Sequence, residues 1–146
     1  MKIYLDLCAI QRPLDTANQI RIVLESEAVL GIIAFCGSGQ AELLSSEALT
    51  YEGKQSSIPT REEHTLAVLA NAKEVIKVTE KETERAINLT AFGIKSLDAL
   101  HLALAETGKA DYFCTCDDKL LRSSKKVKDL AVKVINPVDL VQEIEK

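Results

Sequence analysis

Short apolar runs of strand length alternate along this chain with longer segments whose apolar residues recur at helical spacing. Lys2–Leu5 reads as a first strand, followed by a polar connection over residues 11–18. A helix is predicted over residues 19–35, stopped by Gly37-Ser38-Gly39. The second strand covers Glu42–Ser45, and Ser46 stands where it can cap the next helix. Gly53, Ser56, Ser57 and Pro59 break the chain. Thr60 and Glu63 then match a capping box ahead of Leu66, Val68 and Leu69. Strand three spans Glu74–Val78, and a second capping box, Thr79 with Glu82, opens a helix that ends near Phe92 and Gly93. The apolar helix around Leu97–Ala105 stops at Gly108. Strand four, Tyr112–Cys116, leads into a short basic helix over Lys119–Lys126. After strand five, Ala131–Ile135, Asn136 caps and Pro137 starts a terminal helix.

This alternation predicts a three-layer α/β/α fold, with a parallel sheet of about five strands covered by helices on both faces. A length of 146 residues, with no internal repeat and no long linker, predicts one domain over 1–146. The longest apolar stretch, Ala28–Cys36, is far short of a bilayer span and reads as the buried half of a helix. No membrane association is expected.

Strand ends of one parallel sheet share an edge, where ligand sites gather. Four acids fall at such junctions: Asp6, Glu52, Asp98 and Asp117. Converging carboxylates repel unless cations neutralise them, and an oxygen-only donor set suits Mg²⁺ or Mn²⁺. Each acid also has a plainer role available. Asp6 fits a turn, Asp98 the first turn of a helix, and Asp117 with Asp118 a cap and a first-turn acid. Glu42 and Glu47 compete with Glu52. Glu42 precedes its strand and Glu47 fits a cap, whereas Glu52 lies more than one turn into its helix. Thr115 shares a strand face with Asp117 and could bond a metal-held water or a phosphate.

Charge and composition narrow the picture. A net charge of −4 argues against a non-specific electrostatic nucleic-acid binder. Filling the acidic cluster with divalent cation would remove much of that excess, so RNA or DNA stays open as substrate. Only 4% aromatics and no Trp exclude a broad base-stacking surface. Cys8, Cys36, Cys114 and Cys116 include no C-x-x-C pair, which excludes a zinc ribbon or thioredoxin motif. Cys114 and Cys116 share a strand face and read as small core residues. With no signal peptide read, a reducing cytoplasm is the expected setting. Gly37-Ser38-Gly39 lacks the Lys and spacing of a phosphate loop, and His64 and His101 have no paired metal spacing. The basic run Arg122, Lys125, Lys126 and Lys128 is a solvated face or a phosphate-contact patch.

Four segments, in order, resemble the PIN-domain family, including its VapC-type toxin nucleases. They are Tyr4-Leu5-Asp6, residues 46–52, residues 95–103 and residues 113–117, with Asp98-Ala99-Leu100-His101-Leu102-Ala103 and Thr115-Cys116-Asp117 the strongest. The resemblance implies Asp6, Glu52, Asp98 and Asp117 as ligands of one or two Mg²⁺ or Mn²⁺ ions, with Asp118 as an auxiliary. It implies metal-dependent endoribonuclease activity on an RNA substrate and, for a toxin, a small antitoxin partner; a homodimer is left open. Arg12, Thr115, Arg122, Lys125 and Lys126 are the candidate substrate contacts. The alternatives are a catalytically silent PIN-like binding module and a receiver-like signalling domain. The latter lacks its paired acids after strand one and its closing Lys.

Overall fold

The computed structural model describes residues 1–146. Its centre is β1 (Lys2–Leu5), an apolar strand buried along most of its length. Asp6 ends the strand and accepts from the Leu7 N–H, so the chain turns directly into α1 (Leu7–Gln11). A 3₁₀ turn, Arg12–Leu14, and the long α2 (Ile20–Gly37) follow. Then come β2 (Glu42–Ser46), α3 (Glu47–Lys54), α4 (Pro59–Leu69), β3 (Glu74–Ile76), α5 (Glu80–Thr90) and α6 (Ser96–Thr107). β4 (Tyr112–Cys114), α7 (Asp118–Ser124), β5 (Lys133–Ile135) and α8 (Pro137–Ile144) complete the order.

The strands form one five-stranded sheet in the order β3-β2-β1-β4-β5, with every neighbouring pair parallel. The α/β class and strand number agree with the sequence pattern. Tyr4 lies opposite Leu44 and Phe113, and its ring stacks on Phe113 with centroids 5.3 Å apart. Ile3, Leu5, Leu49, Leu102 and Leu104 are also fully buried, so the core wraps the central strand. Gly108 closes α6 against the sheet. A Cβ there would stand 2.4 Å from Ile76 Cδ1 and 3.0 Å from Leu44 Cδ1.

The predicted caps fall where local chemistry decides them. Ser46 Oγ accepts from Leu49 N, and Asn136 Oδ1 from Asp139 N. Glu82 reaches back to accept Thr79 N at 2.9 Å. It also accepts the Thr79 and Thr107 hydroxyls, which ties α5 to α6. Arg85 adds an ion pair to Glu106 at 2.8 Å across the same helices.

Three local expectations fail. The connection over residues 11–18 is not simply polar loop, because Gln11 ends α1, which the Asp6 cap starts at once, and Arg12–Leu14 form a 3₁₀ turn. Thr60 and Glu63 form no capping box, because Pro59 occupies the first helical position and sets the start two residues earlier. Ala28–Cys36 is not a buried half-helix. Val29 and Ile32 face the core, while Leu30 is 50% exposed on this outer-layer helix.

Candidate functional site

The C-terminal edge of the sheet gathers acids from four segments. Asp6, buried at the end of β1, accepts Leu7 N and Thr115 Oγ1, each at 2.9 Å. Burial still pushes its carboxyl above the ordinary range, and the nearby Glu52 charge adds to this. The Thr115 and Cys8 bonds and the field of His101 oppose the rise. Asp98, in the first turn of α6, is pushed up to about 6. Burial is the largest cause, followed by the charges of Asp6 and Asp117, with Glu52 adding more. Asp117 is the exposed N-cap of α7, and its Oδ1 accepts Lys119 N at 2.9 Å and Leu120 N at 3.3 Å.

Glu52 joins through a buried relay. Its carboxylate is hydrogen-bonded to His101 Nε2. His101 Nδ1 lies 2.6 Å from the Tyr4 hydroxyl, which lies 2.7 Å from Ser46 Oγ. For a neutral imidazole, one proton arrangement satisfies all three contacts. Ser46 donates to Tyr4, Tyr4 donates to Nδ1, and Nε2–H donates to Glu52. Burial pushes the Tyr4 phenol well above its usual value, so it remains a donor. The competing glutamates lie elsewhere: Glu47 Oε1 accepts Val78 N at 2.7 Å beyond β3, and Glu42 begins β2 at the opposite edge.

Several expected contacts have other duties. Thr115 is fully buried, donates to Asp6 and accepts Asp117 N at 3.1 Å, so its hydroxyl orders the acids rather than facing a substrate. Arg12 is ion-paired to Asp15 and Glu25, both at 3.0 Å, and braces the 3₁₀ turn against α2. Asp118 is exposed and doubly bonded to Arg21, at 2.7 and 2.8 Å, which holds its carboxyl below the usual range. Lys125 lines a separate cavity with Lys133, Asn136 and Asp139, beside β5 and α8. Arg122 and Lys126 are exposed. His64 bonds the Ile10 carbonyl at 2.8 Å, a structural duty.

The cations beside the acids are Lys95 and Lys119, which line one shallow groove with Asp98 and Asp117. Sequence reading passed over both. Lys119 opens the basic helix, but only tertiary packing beside α6 distinguishes it from Lys125. Tyr4 and Ser46 were likewise read as strand and cap, and their place in the relay arises from packing 42 positions apart.

The donor set fits a hard divalent cation: carboxylates predominate, and their mutual repulsion is visible in Asp98. No three acidic, His or Cys side chains are gathered tightly enough to hold an ion by themselves.

A parallel α/β sheet with acids crowded at its carboxyl edge defines a class of ligand-binding edge rather than one protein. The chain belongs to the PIN domain family, which matches residues 3–126. A receiver-like module is thereby set aside. No curated protein matches the chain. Among solved structures it is similar to VapBC2 from Rickettsia felis, bound to a DNA fragment from its promoter. That pair has 16% identity and a TM-score of 0.60, covering 93% of this chain and 98% of the other. It is also similar to DNA-bound VapBC from Salmonella typhimurium, at 13% identity and a TM-score of 0.56, covering 94% and 98%. PAE2754 from Pyrobaculum aerophilum gives 16% identity and a TM-score of 0.54, covering 99% and 98%. At these identities the likeness is one of fold. No helix is long and apolar enough to cross a membrane.

Proposed function

We propose that this chain is a Mg²⁺- or Mn²⁺-dependent endoribonuclease. The observation that carries the reading is the crowding at Asp98, raised first by burial and then by the charges of Asp6, Asp117 and Glu52. Membership in the PIN domain family supports it. Asp6, Glu52, Asp98 and Asp117 would hold the cation, with Asp118 engaged by Arg21 instead. When bound, the ion supplies positive charge to a scissile phosphate and a water nucleophile at neutral pH. His101 fixes the Glu52 carboxylate, and Thr115 fixes that of Asp6. Lys95 and Lys119 flank the acids and are placed to hold flanking phosphates.

The test is incubation of end-labelled RNA and single-stranded DNA with Mn²⁺, with Mn²⁺ plus EDTA, and with an Asp98→Asn control. Internal RNA cleavage that needs the metal and Asp98 is expected. RNA left intact under every metal condition would overturn the reading. The absence of a ready-made trio of ligands favours one second reading, a catalytically silent PIN module. Such a module would retain RNA in a binding assay without cutting it.

The solved VapBC structures support a toxin role, with a small antitoxin as partner. Growth arrest on expression, relieved by the product of an adjacent small reading frame, is the expected result. Normal growth with active protein present counts against it.

A further inference from the structure

Asp117 stands past the end of the sheet. The last backbone bond into the sheet runs from Thr115 N to the Ile135 carbonyl at 3.0 Å, and α7 begins at Asp118. Cys116 and Asp117 bridge the gap, and side chains hold this stretch. The Asp117 N–H donates to Thr115 Oγ1 at 3.1 Å. The carbonyl before it, that of Cys116, accepts Arg21 Nη2 at 3.1 Å. The carboxylate after it, that of Asp118, accepts Arg21 Nη1 and Nη2 at 2.7 and 2.8 Å. One guanidinium from the first turn of α2, 95 positions from Cys116, therefore grips the chain on both sides of Asp117.

The third side of the same guanidinium faces buried Glu25, with Nε 3.4 Å from Oε1. Glu25 lies one turn further along α2 and is also paired to Arg12 at 3.0 Å. A guanidinium can serve three partners because its donors point in fixed directions on three sides. Within Asp117, Oδ1 takes the N–H groups of Lys119 and Leu120, and the residue lines the groove shared with Asp98. The Arg21 side chain is 46% exposed and that of Asp118 54%, and exposed ion pairs add little to stability. Stability is thus a poor account of this clamp, and the placement of Asp117 is a better one.

We propose that Arg21 is a positioning residue for Asp117, which it holds at the cation site by gripping the Cys116 carbonyl and the Asp118 carboxylate. This rests on the reading of Asp117 as a cation ligand. Charge alone makes the opposite prediction. A guanidinium beside a cation site repels the ion, so deleting it should tighten binding. Deleting a clamp should weaken it. The sign of the change separates the two roles.

The test compares the full chain with Arg21→Met and Arg21→Lys. Methionine has no donor, and lysine keeps the charge but loses the fork. In the metal-free protein, amide hydrogen exchange at Lys119 and Leu120 should be faster in Arg21→Met, since Asp117 caps both. In isothermal titration, Mn²⁺ should bind Arg21→Met about tenfold more weakly, the scale of losing a partner behind a ligand. Arg21→Lys should fall between Arg21→Met and the parent in both measurements. Melting curves should stay close to that of the parent, since Arg12 remains beside Glu25. If Arg21→Met does not fold, Arg21→Lys, which keeps a cation beside Glu25, decides alone. Unchanged or tighter Mn²⁺ binding by a folded variant overturns the proposal, and so does parental exchange at the two amides. A lysine variant equal to the parent reduces Arg21 to its charge and overturns it as well. At limiting Mn²⁺, RNA cleavage should lose kcat with KM for RNA unchanged, because the Arg21 fork is occupied by protein groups. A parent that binds Mn²⁺ yet cuts no RNA defeats the nuclease reading and leaves exchange and titration to decide the role of Arg21.

Discussion

Glu82 and Asp98 are carboxylates on adjoining helices, and their acidities move in opposite directions. Glu82 is 2% exposed, yet its carboxyl falls to about 2. The Thr107 hydroxyl is the main cause, followed by that of Thr79. Asp98 is less enclosed and rises to about 6, with no hydrogen bond among the causes. Burial is the largest cause at Asp98 and neighbouring carboxylates add to it, whereas at Glu82 donated hydrogen bonds outweigh burial. A carboxylate whose lone pairs are met by hydroxyls and a backbone N–H is finished and holds helices together. A carboxylate met by three more carboxylates needs a charge from outside the chain. The first arrangement is structural, and the second is where a cation-dependent function would sit.

The largest expected effect comes from Asp98→Asn. Metal-dependent RNA cleavage should fall by more than the roughly 10–100-fold typical of losing a supporting residue behind a metal ligand. The same variant should change the pH dependence of the metal-free protein. The folded value of about 6 exceeds the unfolded 3.8, so the native state binds more protons between them. Stability should thus fall as pH rises from about 4 to about 6. Melting curves of Asp98→Asn should show a shallower slope, with a remainder from Asp6, which shifts the same way. Equal slopes in variant and parent would erase the contrast with Glu82.

His101→Gln should come next, with Mn²⁺ affinity weakened by about 10–100-fold as Glu52 loses its anchor. Isothermal titration against parent and Tyr4→Phe resolves the relay. Tyr4→Phe should fall between them, since it removes only the outer donor. Glu82→Ala should cost about 1–3 kcal/mol of stability, because the Thr79 and Thr107 hydroxyls and the Thr79 N–H lose a charged acceptor. Its sign with pH is the reverse of Asp98. The contribution is complete above about 4.5 and vanishes as pH falls through about 2. Urea melts at neutral and acidic pH read both halves, and cleavage per folded molecule should not change.

The smallest effect separates two sets of lysines. Charge reversal at Lys95 and Lys119 should flatten the salt dependence of RNA binding by roughly 0.7 in log–log slope per lost phosphate contact. Reversal at Lys125 should leave that slope unchanged, because it lines a different cavity. Equal slopes for all three would make the groove no more than a solvated surface.

What could be read from the chain follows from how local each determinant is. Ser46, Asn136 and the Glu82 reach-back each need only three residues of spacing, and each was legible. Asp6 and Asp117 were legible because a parallel sheet fixes which strand end they occupy. The Thr60 box failed because Pro59 overrode a propensity of the same range. The relay from Ser46 to Glu52 and the separation of Lys119 from Lys125 depend on packing between distant elements. No pattern along one helix or strand encodes them.

The strand order also sets when the acids can meet. β1, β2 and β3 are complete by Ile76 and form one contiguous side of the sheet. Asp98 and Asp117 arrive later, and the Thr115–Asp6 bond closes across 109 positions. Since chains emerge from the ribosome N-terminus first, a nascent molecule carries Asp6 and Glu52 long before the remaining two. Cleavage of this kind would be a late event in the life of the polypeptide. The cell would have the whole interval of translation from β3 to β4 in which a partner could be made ready.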